Sequence, residues 1–203
     1  MSDLVEPAIV IIGCLKGGQI EETGTGFFVS KKLIVTAAHL CIKGDLFCFD
    51  QKPFSSFQKG KMITPIKIDH KRDLFIGEVE TANRTYFQVK TFQRAALQSC
   101  HLIGFPSENV EIKNGLILRF DFDEPQLQPL NYAELRQFQL FQHDYQGILT
   151  PPSNGGMSGA PFTDDEGTLY GMHSANLRNS NDESDGINVS VNEIAHLLAC
   201  IRQ

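Results

Sequence analysis

The sequence predicts an all-β chain built as two packed, six-stranded antiparallel β-barrels with a C-terminal helix. Three observations lead there. Short runs of β-forming residues recur between turn residues along nearly the whole length. They fall into two sets of about six, separated by a looser stretch from Glu80 to Gln98. Only the last segment carries a clear helical spacing of apolar residues.

In chain order, the first set comprises Ala8 to Cys14, Gly26 to Ser30, Leu33 to Thr36, Leu46 to Phe49, Ile63 to Ile68 and Leu74 to Val79. In the last of these, alternation puts Leu74, Ile76 and Glu78 on one face. The second set comprises His101 to Phe105, Leu116 to Phe122, Phe138 to Gln142, Leu169 to Ser174 and Ile187 to Val191. Between these, "FTDDEGTLYG" reads as strand, turn, strand. The polar stretch Asn176 to Gly186 reads as an exposed loop. In "VNEIAHLLACIRQ" Asn192 is the expected N-cap, and Ile194, Leu197, Leu198 and Ile201 share one helical face. Residues 1–203 then form a single domain, with a first lobe over 1–90 and a second over 99–203 that ends in the helix.

Composition narrows the function classes. The 203 residues are 41% hydrophobic with a formal net charge of −6. No Lys/Arg run is long enough to track phosphates, which argues against nucleic acid and against an anionic membrane surface as partners. The five cysteines are odd in number, scattered, and form no C-x-x-C, so they read as free thiols of a reducing compartment. The N-terminal run lacks a basic flank and is too short and interrupted for a signal peptide or a membrane span. These features together lead to the expectation of a cytoplasmic protein. The six histidines show no H-E-x-x-H spacing and no Cys/His cluster has zinc-ligand spacing, so neither metal nor cofactor is expected.

The stretch "PPSNGGMSGAPF", residues 151–162, admits two readings: a loop of ordinary turn residues, or a turn that presents Ser158 as a nucleophile. Two stretches upstream favour the second. "TGTGFFVSKKLIVTAAHLC" runs strand, turn, strand and then His39, and "IDHKRDLFIGEVE" places Asp73 at the start of a strand, with Asp69 as a competitor for the same role. A serine hydroxyl needs a base within hydrogen-bond reach, an imidazole titrates near neutrality, and a carboxylate can fix the imidazole tautomer. A strand-to-helix serine elbow is excluded, because Pro161 follows closely, no helix can start there, and the histidine lies upstream.

The order His, Asp, Ser, with "TAAH", "D-L-x-I" and "G-x-S-G-x-P", resembles the chymotrypsin-like (trypsin-like) serine peptidases. Within them the chain is similar to the disulfide-free HtrA/Deg-type and glutamyl-endopeptidase-like domains. "GTGFFVS…LIVTAAH" resembles their opening hairpin, "LIGFP" their entry into the second barrel, and "DGINVSVNEIAHLL" their last strand and helix. The resemblance implies a serine endopeptidase with His39, Asp73 and Ser158 as the catalytic triad in a cleft between the lobes. It implies an oxyanion hole from the backbone N–H groups of Gly156 and Ser158, and a protein or peptide as substrate. Met157 stands where secreted members carry an aspartate that pairs with a newly cut N-terminus, so no such activation is expected.

Specificity is read from the same resemblance. The pocket base, six residues before Ser158, is Pro152, which offers no charge to Arg or Lys. His173 in "YGMHSAN" and Ser153 match the positions that bind a Glu or Gln side chain in glutamyl endopeptidases and viral polyprotein proteases, and both can donate to its oxygen. His173 has a second reading as a buried strand histidine. With an ordinary imidazole, the Glu-to-Gln preference would rise as pH falls toward about 6. Ser174 to Asn176 would pair with substrate backbone, although Asn176 replaces a common glycine and crowds the groove. Two alternatives stand beside this reading. One is a viral-type polyprotein-processing protease, and the other a catalytically silent protease-like domain that binds peptide.

Overall fold

A computed structural model of the chain describes residues 8–49, 60–80, 84–91, 99–105, 116–121, 147–150, 153, 155–164, 166–178 and 184–201. The architecture is all-β with a C-terminal helix. The first sheet has seven strands: β1 (Ile9–Lys16), β2 (Gln19–Phe28), β3 (Leu33–Ala37), β4 (Asp45–Phe49), β5 (Lys61–Met62), β6 (Thr64–Asp69) and β7 (Leu74–Glu78). Their spatial order is β5-β4-β1-β2-β3-β7-β6. Its two edge strands, β5 and β6, are consecutive in the chain and joined by the single residue Ile63, so the sheet curls until its edges meet. The strand count exceeds the expected six because β5 forms just ahead of the expected strand that starts at Ile63, pairing Lys61 and Met62 with Cys48 and Phe47 of β4.

The second sheet holds β8 (Ser99–Gly104), β9 (Leu116–Asp121), β10 (Gly147–Thr150), β11 (Pro161–Thr163), β12 (Leu169–Arg178) and β13 (Ser184–Ser190). Its order is β10-β13-β12-β11-β8-β9, with every pairing antiparallel. The expected strand at Phe138 to Gln142 lies outside the described residues. Two expectations need correction. β2 begins at Gln19, not Gly26, because Gly17 and Gly18 adopt φ of 60° and 82° and close a two-residue hairpin that pairs Lys16 with Gln19. The segment from Asn176 is not wholly loop either. β12 continues to Arg178 and pairs Asn176, Leu177 and Arg178 with Gly186, Asp185 and Ser184. Polar composition hid these strand ends, since their pairing comes from the neighbouring strand and not from apolar alternation.

β7 departs from alternation as well: Leu74, Phe75, Ile76 and Gly77 are all buried, as befits a strand between β3 and β6 in a curled sheet. One contiguous apolar core runs through both sheets, from Ile9–Ile12, Phe27, Phe28 and Ile34 to Met172, Val189 and Ile194. Fully burying such a side chain contributes about 1.5–3 kcal/mol. The stretch between the sheets is pinned to the first of them. Phe87 meets Phe27 edge to face with centroids 5.6 Å apart, and its N–H donates to the Phe28 carbonyl at 2.9 Å.

The helix α1 (Val191–Ile201) buries Val191, Ile194, Leu197 and Leu198, the face its spacing predicts. It starts directly after β13, so Asn192 sits inside the first turn and is not the N-cap. Glu193 in that turn accepts from Arg72 Nε at 2.7 Å, tying the helix to the β6–β7 turn.

Candidate active site

His39 lies in a short 3-10 turn, Ala38–Cys41, that directly follows β3. Asp73 closes the β6–β7 turn and is buried, with φ of 54°, a left-handed conformation that aspartate tolerates better than most residues. The turn is held from both sides. Asp73 O accepts from Ala38 N at 3.0 Å, Oδ1 from His39 N at 2.7 Å and Oδ2 from His39 Nδ1 at 2.8 Å. A carboxylate only accepts, so the imidazole proton sits on Nδ1 and Nε2 is left as a base.

The charge state of His39 follows from opposing effects. Burial, the largest, pushes its pKa down. The hydrogen bond and charge of Asp73, joined by the charge of Glu22, outweigh it and leave the pKa above the ordinary 6.5. Asp69, the competing acid, serves elsewhere. It accepts from Arg72 Nη1 at 2.6 Å and from the Lys71 and Arg72 backbone N–H groups, and Arg72 holds its pKa down against the cost of burial.

Ser158 reaches the same junction from the second sheet. Its carbonyl accepts from Thr25 N of β2 at 2.8 Å. A Cβ added to the neighbouring Gly24 would collide with Leu40, the residue after His39, and would stand 2.8 Å from the Ser158 carbonyl. Gly159 at φ 86° fits against the backbone of Thr25 and Ala37 with no room for a side chain. Gly156 is also left-handed, at φ 87°, and Met157 between them is fully buried, its sulfur against Gly104. Among the described residues Ser158 Oγ makes no hydrogen bond to His39; such contacts are commonly long in substrate-free enzymes and tighten with substrate.

The expected specificity residues are brought together, with their side chains turned toward one another. Ser153 Oγ lies 2.6 Å from His173 Nε2, and His173 Nδ1 lies 3.3 Å from Asn188 Oδ1 on the paired strand. Burial drives the His173 pKa down to about 4, with a further push from His39, against the pull of Asn188 and Asp73. The ring is therefore neutral at neutral pH, which removes the expected transition near pH 6. Ser174 Oγ donates to Asp73 Oδ2 at 2.5 Å. Asn176 clamps the backbone of Ser153, accepting from its N–H at 2.9 Å and donating to its carbonyl at 2.6 Å. The side chains of Ser174 and Asn176 thus buttress Asp73 and Ser153.

Sequence reasoning missed Thr25, Asn188 and Glu22. Asn188 was open to discovery as the cross-strand partner of His173, and Thr25 as the side chain between the glycines of "GTGF". Among the described residues no group of three or more His, Cys, Asp or Glu could hold a metal ion, and no helix is long and apolar enough to cross a membrane. Cys14, Cys41, Cys48 and Cys200 are free thiols, and burial pushes the first three above the usual thiol range. An open groove lined by Ala8, Tyr86, Phe87, Glu166 and Leu169 includes none of the candidate site residues.

No curated protein sequence matches the chain significantly. Solved structures do, at low identity. The active form of the Rv3671c protease of M. tuberculosis aligns over 97% of this chain and 82% of its own, with 19% identity and a TM-score of 0.71. A serine endoprotease of Yersinia pestis aligns over 97% and 63%, with 15% identity and a TM-score of 0.71. The MamO protease domain of Magnetospirillum magneticum aligns over 97% and 98%, with 14% identity and a TM-score of 0.69. These likenesses establish the chymotrypsin-like all-β fold. The family model for the trypsin-like peptidase domain matches residues 24–172, which span His39, Asp73 and Ser158. The chain belongs to the trypsin-like peptidases, a family of serine-type proteases.

Proposed function

We propose that the protein is a serine endopeptidase that cleaves protein or peptide substrates through Ser158, His39 and Asp73. The observation that carries this reading is the doubly bonded Asp73–His39 pair, held at the junction to which Thr25 and Gly24 bring Ser158. Ser158 Oγ attacks the scissile carbonyl while His39 Nε2 takes its proton. The backbone N–H groups of Gly156 and Ser158 stabilise the tetrahedral oxyanion. His39 returns the proton to the leaving amine, and water then releases the acyl group by the same steps. Asp73 keeps the proton of the neutral ring on Nδ1 and stabilises the imidazolium formed in between.

Substrate enters as an added strand along Ser174 to Asn176. On this side of β12, pairing among the described residues ends at His173, whose N–H and carbonyl bond Ala160 and Gly159. Cleavage follows Gln or Glu, with Ser153 and His173 at the pocket wall. The neutral His173 ring makes that wall uncharged at neutral pH, which suits a carboxamide better than a carboxylate. Labelling by a fluorophosphonate probe tests the central reading. Labelling of the wild type that vanishes in Ser158→Ala is expected, and an unlabelled wild type sinks it.

A further inference from the structure

We infer that Thr25 is the positioning residue of the nucleophile turn: from the opposite lobe it sets the peptide planes that aim the Ser158 N–H. The inference rests on the triad reading above.

The turn from Gly156 to Gly159 contains three consecutive peptide units, and each is held by its carbonyl. Gly156 O accepts from Thr25 Oγ1 at 2.9 Å. Met157 O accepts from Ala160 N at 2.9 Å. Ser158 O accepts from Thr25 N at 2.8 Å. The Ser158 N–H belongs to the middle unit and points opposite to the Met157 carbonyl, because a peptide is planar and trans. Thr25 therefore grips the units on both sides of the one that carries this N–H. Its backbone supplies one grip and its side chain the other.

The side-chain grip has a single possible polarity. Phe105 N donates to Thr25 Oγ1 at 3.0 Å, and a backbone N–H can only donate. The hydroxyl must then send its own proton to Gly156 O, which can only accept. All partners are buried, and Thr25 itself is fully buried, so no water competes for either bond. Thr36 Oγ1 in turn donates to Thr25 O at 2.6 Å, anchoring the gripping residue to β3. The fit is close on every side. A Cβ on Gly104 would stand 2.8 Å from Thr25 Oγ1 and 2.9 Å from the Met157 sulfur. Gly156, at φ 87°, sits in a conformation that a free loop would share with several others, and the hydroxyl selects it.

The chemistry demands this residue type. A β-branched hydroxyl fills the strand position as valine would, while supplying one donor and one acceptor. Thr25 does not touch the reacting atoms; it acts through the turn. Its loss should appear where transition-state charge is stabilised, and not in ground-state substrate binding.

The test compares Thr25→Val, which keeps the shape and removes the hydroxyl, with Thr25→Ser, which keeps the hydroxyl. Readouts are kcat and KM on one peptide substrate, the rate of fluorophosphonate labelling, and thermal midpoints. Thr25→Val should lower kcat and the labelling rate by at least tenfold with KM within threefold, and Thr25→Ser should retain more than half of wild-type kcat. A folded Thr25→Val with kcat within twofold of wild type overturns the proposal, and so does an equal loss in both variants. If Thr25→Val does not fold, Thr25→Ala takes its place under the same criteria against Thr25→Ser. A wild type that is not labelled overturns the triad reading and this proposal together, whereas a labelled wild type with an unimpaired valine variant overturns this proposal alone.

Discussion

Replacing Asp73 by asparagine separates charge and tautomer from geometry. Asparagine is nearly isosteric and, like aspartate, tolerates the φ of 54° at this position, so the backbone has no reason to move. The hydrogen-bond partners then dictate how the amide must sit. Oδ1 of Asp73 faces the His39 backbone N–H at 2.7 Å, a donor that cannot reverse. The amide oxygen must take that position, which puts the NH₂ group where Oδ2 now accepts from His39 Nδ1 and Ser174 Oγ. There it donates to Nδ1, moves the imidazole proton to Nε2, and removes the base that Ser158 requires. Ser174 can rotate its hydroxyl to accommodate the new donor, but a neutral imidazole holding its proton on Nε2 cannot accept one there. The expected loss is about 10⁴-fold in kcat/KM, roughly 5.5 kcal/mol of transition-state stabilisation. Steady-state hydrolysis of a peptide substrate measures it, with Asp69→Asn as the control. Asp69 bonds Arg72 and not His39, so that control should lose less than about threefold. An Asp73→Asn enzyme with a tenth or more of wild-type kcat/KM, or an Asp69→Asn loss of equal size, would refute the assignment.

Ser158→Ala should abolish hydrolysis and shift unfolding by no more than about 1 kcal/mol, because one partly exposed hydroxyl is lost; turnover above trace in a preparation free of other proteases contradicts it. The acid limb of kcat/KM should titrate above 6.5, since the raised pKa of His39 keeps the base protonated to higher pH; a limb centred below that value counts against the Asp73–His39 pair. By linkage, the same shift adds stability that is full below pH 6.5 and lost as pH rises through the folded pKa. His173 acts in the opposite sense: its pKa of about 4 against 6.5 removes stability as pH falls through that window. Cleavage-site profiling should show Gln and Glu at P1 with a ratio that stays flat from about pH 8 to about pH 5.5, and His173→Ala should erase the preference. A ratio that changes around pH 6, or a profile unaltered in the variant, removes His173 from the pocket wall.

Much of the site was legible in the sequence because its parts are local. His39 follows a β-strand in "TAAH", Asp73 opens one, and Ser158 lies in a glycine-rich turn, and each pattern reflects backbone needs satisfied within a few residues. The all-β class and the C-terminal helix were legible for the same reason, as apolar periodicity is a short-range signal. What the sequence left open depends on contacts between distant residues. Asp69 competes with Asp73 on paper; the fold chooses by turning Asp73 toward His39 and Asp69 toward Arg72. Chain order alone gives His173 an ordinary imidazole pKa, whereas burial among Ser153, Asn188 and the core holds the ring neutral. From the sequence Ser174 and Asn176 read as main-chain partners of a substrate strand, and only packing reveals that their side chains bond Asp73 and Ser153. Thr25 stayed unnoticed because its two side-chain partners, Phe105 and Gly156, are 80 and 131 residues away. Hydrogen-bond partners, burial and the resulting charge states are properties of three-dimensional proximity, and chain order alone does not carry them.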